Sequence, residues 1–287
     1  MDQSHSVPQG TACYNCGTPL LGPWCHACGQ AAHDYHRKAH HLVGEAVESL
    51  FHADGRFWRT VPRLVADPAG LTRDYLAGKR APQIPPMRLV LITLVLVFLI
   101  GGWTAGFGGN TKIDAPPSAA ERAEILKGKV DVHLPGVSPA QNGAINDWLT
   151  VHIGRALDNP QRLADGMQER AHDFAFLMLP ISAFLLAAIF MFRRGFVLFD
   201  HFVFSMHSLS FQGLLITALM LLSAVWGGAW LLLLASPVHL FAHMRGVYGT
   251  GKFGTLVRMA VLGMLTAIAF SLLLAALVIV GLEGLRA

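Results

Sequence analysis

Residues 202–244 read FVFSMHSLSFQGLLITALMLLSAVWGGAWLLLLASPVHLFAHM. These 43 residues contain no Asp, Glu, Lys or Arg, and they are too long for one membrane crossing, which takes about 20 apolar residues. Trp226-Gly227-Gly228 supplies a break, so the stretch predicts a hairpin of two spans, 202–224 and 229–245. The same ruler finds three more, at 88–107, 174–192 and 259–281. Composition agrees: 53% of the chain is hydrophobic and 14% charged, against roughly a quarter charged in soluble domains. The expected fold is an all-α membrane protein with five transmembrane helices. It divides into 1–36, 37–87, the first span 88–107, a long loop 108–173, and four spans within 174–287.

Lys and Arg placement sets the orientation, because these residues are retained on the cytoplasmic side. With the N-terminus inside, the inner segments hold 14 of the 22 basic residues. The short loops at Arg193-Arg194 and 245–258 are basic and carry no acid, whereas loop 108–173 dilutes seven basic residues with nine acidic ones. The expected topology is N-terminus cytoplasmic and C-terminus extracytoplasmic. The net charge of +4 reports that orientation and needs no nucleic-acid explanation. The first 40 residues hold no apolar core segment, so no secretory signal is expected.

All four cysteines lie in CYNCGTPLLGPWCHACGQ, residues 13–30. In a reducing compartment, two Cys-x-x-Cys pairs eight residues apart point to a metal rather than disulfides. Two tight turns can present Cys13, Cys16, Cys25 and Cys28 tetrahedrally to one structural zinc, although spacing alone leaves iron open. Gly17 and Gly29 suit the positive φ that closes such turns. His26 reads as a bystander. Haem attachment is excluded because neither pair continues into His. A closed four-thiolate site has no open position for catalysis. Residues 1–36 carry no Lys or Arg, so the ribbon is a poor ligand for phosphate. What remains is a small rigid unit suited to protein contacts.

Between ribbon and membrane, residues 37–87 read as amphipathic juxtamembrane helices. Leu42, Val43, Ala46, Val47, Leu50 and Phe51 recur at helical spacing, and Phe57, Trp58, Val61, Leu64 and Val65 sit among Arg56, Arg59 and Arg63. Such a mix suits the headgroup region of anionic lipid, or else a partner protein. Asp67-Pro68 caps a short helix that Gly78 can end. Beyond the first span, Ser138-Pro139 and Asn159-Pro160 start two further helices, the first with Ile145, Leu149, Ile153 and Leu157 in one stripe; they predict a small helical extracytoplasmic loop.

The doubled Cys-x-x-Cys-Gly ending at Gln30, Gly78-Lys79-Arg80 before Pro85, and the run from Asp200-His201 through His207 to Ser210-Phe211 together resemble the bacterial zinc-ribbon membrane proteins of the domain-of-unknown-function 3667 family. The chain departs from that pattern at Gln83 and Asp200. The resemblance implies architecture and a bacterial inner-membrane location, and it implies no reaction.

The third and fourth expected spans carry polar groups. Asp200, His201, Ser205, Ser208 and Gln212 share one side of the third, with His207 close to Asp200 in projection. The fourth answers with Ser236, His239 and His243 at similar depth. Such a face is costly against lipid. Three readings follow for Asp200, His201, His207, His239 and His243: hydrogen bonds that fix the hairpin, a proton or substrate path, or a second metal site. No Ser-His-Asp, P-loop or dinucleotide signature is present. The sequence therefore favours a non-enzymatic scaffold, assembly or regulatory protein that meets its partner through the ribbon or the juxtamembrane helices, with a small transporter or membrane enzyme as the alternative.

Overall fold

The computed structural model describes residues 10–32, 55–104, 117–118, 120–122, 125, 132–133, 135–193, 195–223 and 225–284. The expected helix at 42–52 lies outside the described residues. The remainder is helical apart from the cysteine-rich segment: α1 Phe57–Ala66, α2 Pro68–Leu76, α3 Pro86–Thr104, α4 Pro139–Asp158, α5 Pro160–Ile189, α6 Leu198–Ser223, a 3-10 helix Ala229–Leu234, α7 Ala235–Tyr248 and α8 Lys252–Gly284. Two compact units are present, one made of Met1–Thr104 with Leu179–Thr266 and one of Ala105–Met178 with Ala267–Ala287.

Three helices, α3, α6 and α8, are long and apolar enough to cross a membrane; α5 makes a fourth if its arms, bent between Ala171 and Asp173, count as one span. The protein is a membrane protein by that measure. The span expected at 229–245 differs in form: a six-residue 3-10 helix leads into the 14-residue α7. Pro237 supplies the reason. It has no N–H to give the Leu233 carbonyl, which removes one bond of the α-helical ladder where the 3-10 turns meet α7.

In the first unit α3 packs along α6, and α2 packs on both α7 and α6. α2 is enclosed on most sides. Pro68, Ala69, Gly70, Leu71, Thr72 and Tyr75 of α2 are all buried. Local chemistry makes so short a helix possible. At its start Pro68 occupies the first turn, and the Asp67 carboxylate accepts from the Gly70 amide at 2.9 Å. At its end Lys79 N–H reaches the Asp74 carbonyl at 2.8 Å and Gly78 N–H the Tyr75 carbonyl at 3.1 Å, with Gly78 at φ +89°. That is a Schellman closure, which requires a left-handed residue. α1 keeps an exposed side, with Trp58 and Val65 outward and Leu64 fully buried.

Two close approaches set the helix spacing. A Cβ on Gly246 of α7 would lie 2.3 Å from the Cβ of Ala69, and one on Gly213 of α6 would lie 3.0 Å from the Cβ of Thr93 in α3. Small residues bring helices near where apolar surroundings give no hydrophobic drive.

The second unit contains α4, which opens with a full capping box between Ser138 and Gln141. An Arg122–Asp158 ion pair of 2.8 Å joins it to the preceding segment. Ile145, Leu149, Ile153 and Leu157 are half-buried.

Gly246→Ala is expected to destabilise the protein by about 1–3 kcal/mol, because overpacking at a tight contact outweighs the better helix propensity of alanine. Adding Ala69→Gly should recover most of the loss. Thermal unfolding in detergent checks this, and a double variant no more stable than Gly246→Ala alone would contradict the contact.

Candidate metal centre and buried histidine cluster

The cysteine-rich segment folds as two copies of one turn. Gly17 N–H donates to the Cys13 carbonyl and Gly29 N–H to the Cys25 carbonyl, each at 2.8 Å, with φ of +76° and +73° at the two glycines. Cys13 N–H reaches the Thr18 carbonyl at 2.9 Å, and Cys25 N–H the Gln30 carbonyl at 2.8 Å. The antiparallel bridges Ala12–Pro19 and Trp24–Ala31 close the two loops. This brings Cys13 Sγ to 3.6 Å from Cys28 Sγ and Cys16 Sγ to 3.5 Å from Cys25 Sγ, with all four sulfurs within 4.8 Å of one another. Four sulfurs about 2.3 Å from a tetrahedral ion stand about 3.8 Å apart. The cysteines therefore fit one metal ion.

The thiols are electrostatically unequal. Burial pushes the Cys13 thiol up to about 11, while the Thr18 hydroxyl, 3.3 Å from Cys16 Sγ, and the Thr18 backbone lower Cys16 to about 6. A metal takes thiolates, so loading at neutral pH displaces the Cys13 proton, and affinity falls as pH falls.

The side chain of Gln30 joins this ribbon to the membrane entry. Its Nε2–H donates to the Gly78 carbonyl at 2.8 Å, and its Oε1 accepts from Arg80 N–H and Ala81 N–H, both at 3.0 Å. Tyr14 lies against Gly78, where a Cβ would come 3.1 Å from that of Tyr14. Below the loop, Asp74 pairs with Arg63 and, at 3.2 Å, with Lys79. Burial raises the Asp74 carboxyl, but hydrogen bonds and charge from Arg63 and Lys79 outweigh it and hold the group below its ordinary value. The pairing therefore contributes stability above the carboxylate range, and loses it as pH falls through that lowered value.

The histidines lie where α2, α6 and α7 meet. Thr72 Oγ1 sits 2.8 Å from both His207 Nδ1 and His243 Nε2. His239 Nε2–H donates to the Leu64 carbonyl at 2.8 Å, and His201 Nδ1 meets Tyr248 Oη at 2.8 Å. His239 stacks on Phe211 with centroids 3.5 Å apart, and His243 on Phe204 at 4.0 Å. All four imidazoles are buried. Asp200 binds locally: its Oδ2 accepts from Val197 N–H at 2.9 Å at the start of α6. Among the described residues the four cysteines are the one group of three or more His, Cys, Asp or Glu whose ligand atoms converge as a metal needs. Thr72, Gln30, Tyr248 and the Leu64 carbonyl are the partners that sequence reasoning missed. Gln30 ends the doubled motif and so was visible, but nothing in the pattern showed what it would touch.

Residues 54–98 match the family model described as protein of unknown function, DUF3667. The DUF3667 match takes in α1, α2, the Gly78–Ala81 loop and most of α3. It thus covers the helix that carries Thr72 and the loop that Gln30 grips. The chain matches no curated protein and no solved structure.

Cys25→Ser with Cys28→Ser should abolish the bound metal, of which the wild type should hold one ion per chain by elemental analysis. Gln30→Ala should keep that ion yet speed amide hydrogen exchange at Arg80 and Ala81 by about tenfold, as expected for a lost bond near 1.4 kcal/mol. Unchanged exchange at both amides would show that the Gln30 contact does not hold the loop.

Proposed function

We propose that this chain is a non-enzymatic scaffold, assembly or regulatory protein of the bacterial inner membrane, presenting a zinc ribbon to a protein partner in the cytoplasm. One observation carries the reading: Gln30 fixes one end of a closed four-cysteine unit to the membrane-entry loop, while Leu21 and Trp24 stand 70% and 61% exposed on the ribbon. Exposed apolar residues on a rigid unit are the usual anchors of a protein contact. Zinc is the metal best suited to four thiolates with no redox demand. A ribbon without Lys or Arg has little to offer nucleic acid, whereas the basic residues of α1 suit anionic lipid.

Five crossings accompany this reading. The 3-10 helix and α7 add up to about 33 Å at their ideal rises, comparable to a bilayer core of about 30 Å. They return antiparallel to α6, as the pairings His239–Phe211, His243–Phe204 and Tyr248–His201 run in opposite order along the two. Arg193 Nη2 donates to the Gly249 carbonyl at 3.1 Å, which puts two basic connections side by side. Basic connections favour the cytoplasmic face. The N-terminus is then cytoplasmic and the C-terminus extracytoplasmic, with 108–173 outside.

A second reading, a small transporter or membrane enzyme, is favoured by the buried imidazoles. His207 Nε2, His239 Nδ1 and His243 Nδ1 have no hydrogen-bond partner among the described residues. Buried ring nitrogens of this kind are where a proton path or a bound ion would attach.

A photoreactive side chain placed at Leu21 or Trp24 should give one reproducible adduct with the same protein in native membranes. The Cys25→Ser/Cys28→Ser background should lose it. A pattern no different from that of the same probe at Trp58 would reject the ribbon as the partner surface.

For topology, a reporter active only outside the cytoplasm should work when fused after Ala287 and fail when fused at Arg194. Silence at Ala287 would show that residues 229–248 do not cross.

A further inference from the structure

We propose that Thr72, His207 and His243 form a proton relay. The proposal deepens the second reading and is independent of the ribbon. A threonine hydroxyl carries one proton, so it donates to one ring nitrogen and accepts from another. Thr72 Oγ1 lies 2.8 Å from His207 Nδ1 and 2.8 Å from His243 Nε2, and it has no third partner among the described residues. The two neutral imidazoles are therefore held in opposite roles. In one arrangement His207 Nδ1–H donates to Thr72, and Thr72 donates to His243 Nε2; in the other, every proton in the chain has shifted.

The exchange balances only if protons enter and leave at the far ends. The His207 Nδ1–H bond breaks as a new Thr72 O–H bond forms, and the old Thr72 O–H proton passes to His243 Nε2. His207 must then gain a proton at Nε2, and His243 must release one from Nδ1. Those two nitrogens are buried and have no hydrogen-bond partner among the described residues. The chain thus has a donor–acceptor sequence in its middle and a buried ring nitrogen at each end.

One turn along α7, His239 supplies an acceptor of fixed sense. Its Nε2 faces the Leu64 carbonyl, which can only accept, so Nε2 carries the proton and Nδ1 the lone pair. Its ring meets that of His243 edge to face, with centroids 5.8 Å apart. His239 Nδ1 likewise has no partner among the described residues. The side of the relay toward Tyr75, whose ring meets His207 edge-on at 6.2 Å, completes the surroundings. A static lock and a relay share this geometry, and they differ in whether the protons move. The ligand class is the proton, carried by water.

The test is nitrogen-15 magnetic resonance of the full chain in detergent micelles, with label at the imidazoles and assignment by His207→Gln and His243→Gln. The relay requires the Nδ1 and Nε2 signals of His207 and His243 to be averaged by proton exchange, in the wild type and in Thr72→Ser. In Thr72→Val, which removes the bridging hydroxyl at nearly the same volume, the averaging should be lost. Two sharp, fixed tautomers in the wild type would overturn the proposal, and so would averaging that survives in Thr72→Val. Should Thr72→Val not fold, wild type and Thr72→Ser still decide between averaged and fixed signals. Metal content and the Leu21 or Trp24 adduct report separately on the ribbon.

Discussion

The contact of Ala69 with Gly246 governs the membrane-associated part of this molecule. Only because position 246 has no side chain can α2 come close enough to α7 for Thr72 to reach His243. A nine-residue helix has little stability of its own, and α2 is held by an Asp67 cap, a Schellman closure at Gly78 and burial on six of its residues. The cap itself depends on space: a Cβ on Gly70 would fall 1.9 Å from the Asp67 carboxylate. Small residues thus act twice here, once to let a side chain fold back and once to let a helix dock. Once α2 is in place, the polar faces of α6 and α7 need not meet lipid. They meet a hydroxyl, a backbone carbonyl and aromatic rings.

From the docked helix, order extends in both directions. Toward the N-terminus, the Gly78 turn that ends α2 offers one carbonyl, and the residues after it offer two amides, all to the single amide group of Gln30. Such a three-point contact fixes orientation as well as distance. Toward the first long helix, Ile84 N–H bonds Thr60 Oγ1 at 3.1 Å and so ties the entry of α3 back to α1. The ribbon, α2 and the start of α3 are consequently parts of one mechanical unit, although 48 residues separate Gln30 from Gly78.

Much of this was legible from residues alone. Cysteine spacing gave the ribbon, and Gly17 and Gly29 gave its turns, because tetrahedral thiolate geometry leaves few alternatives. Hydropathy gave α3, α6 and α8, and Asp67-Pro68 and Ser138-Pro139 gave helix starts through cap chemistry that is local. What escaped was non-local or depended on one missing atom. The 3-10 turn before α7 follows from the absent N–H of Pro237, a detail that an average over apolar residues hides. α2 has arginine and aspartate at positions that suggest a surface helix, yet Arg73 and Asp74 serve its one open side while the rest is enclosed. Thr72 looked like any helical threonine; its two imidazole partners stand 135 and 171 residues away.

The two turns of the ribbon invite a comparison of halves. In each, a glycine of positive φ follows the second cysteine, and the next residue accepts the amide of the first: Thr18 in one half, Gln30 in the other. Backbone duties are duplicated, but the side chains at this shared position diverge. Thr18 turns inward to Cys16, and Gln30 turns outward to the Gly78–Ala81 loop. A doubled motif thereby puts equivalent positions to different uses. One copy conditions a thiol, and the other gives the four-cysteine unit an address.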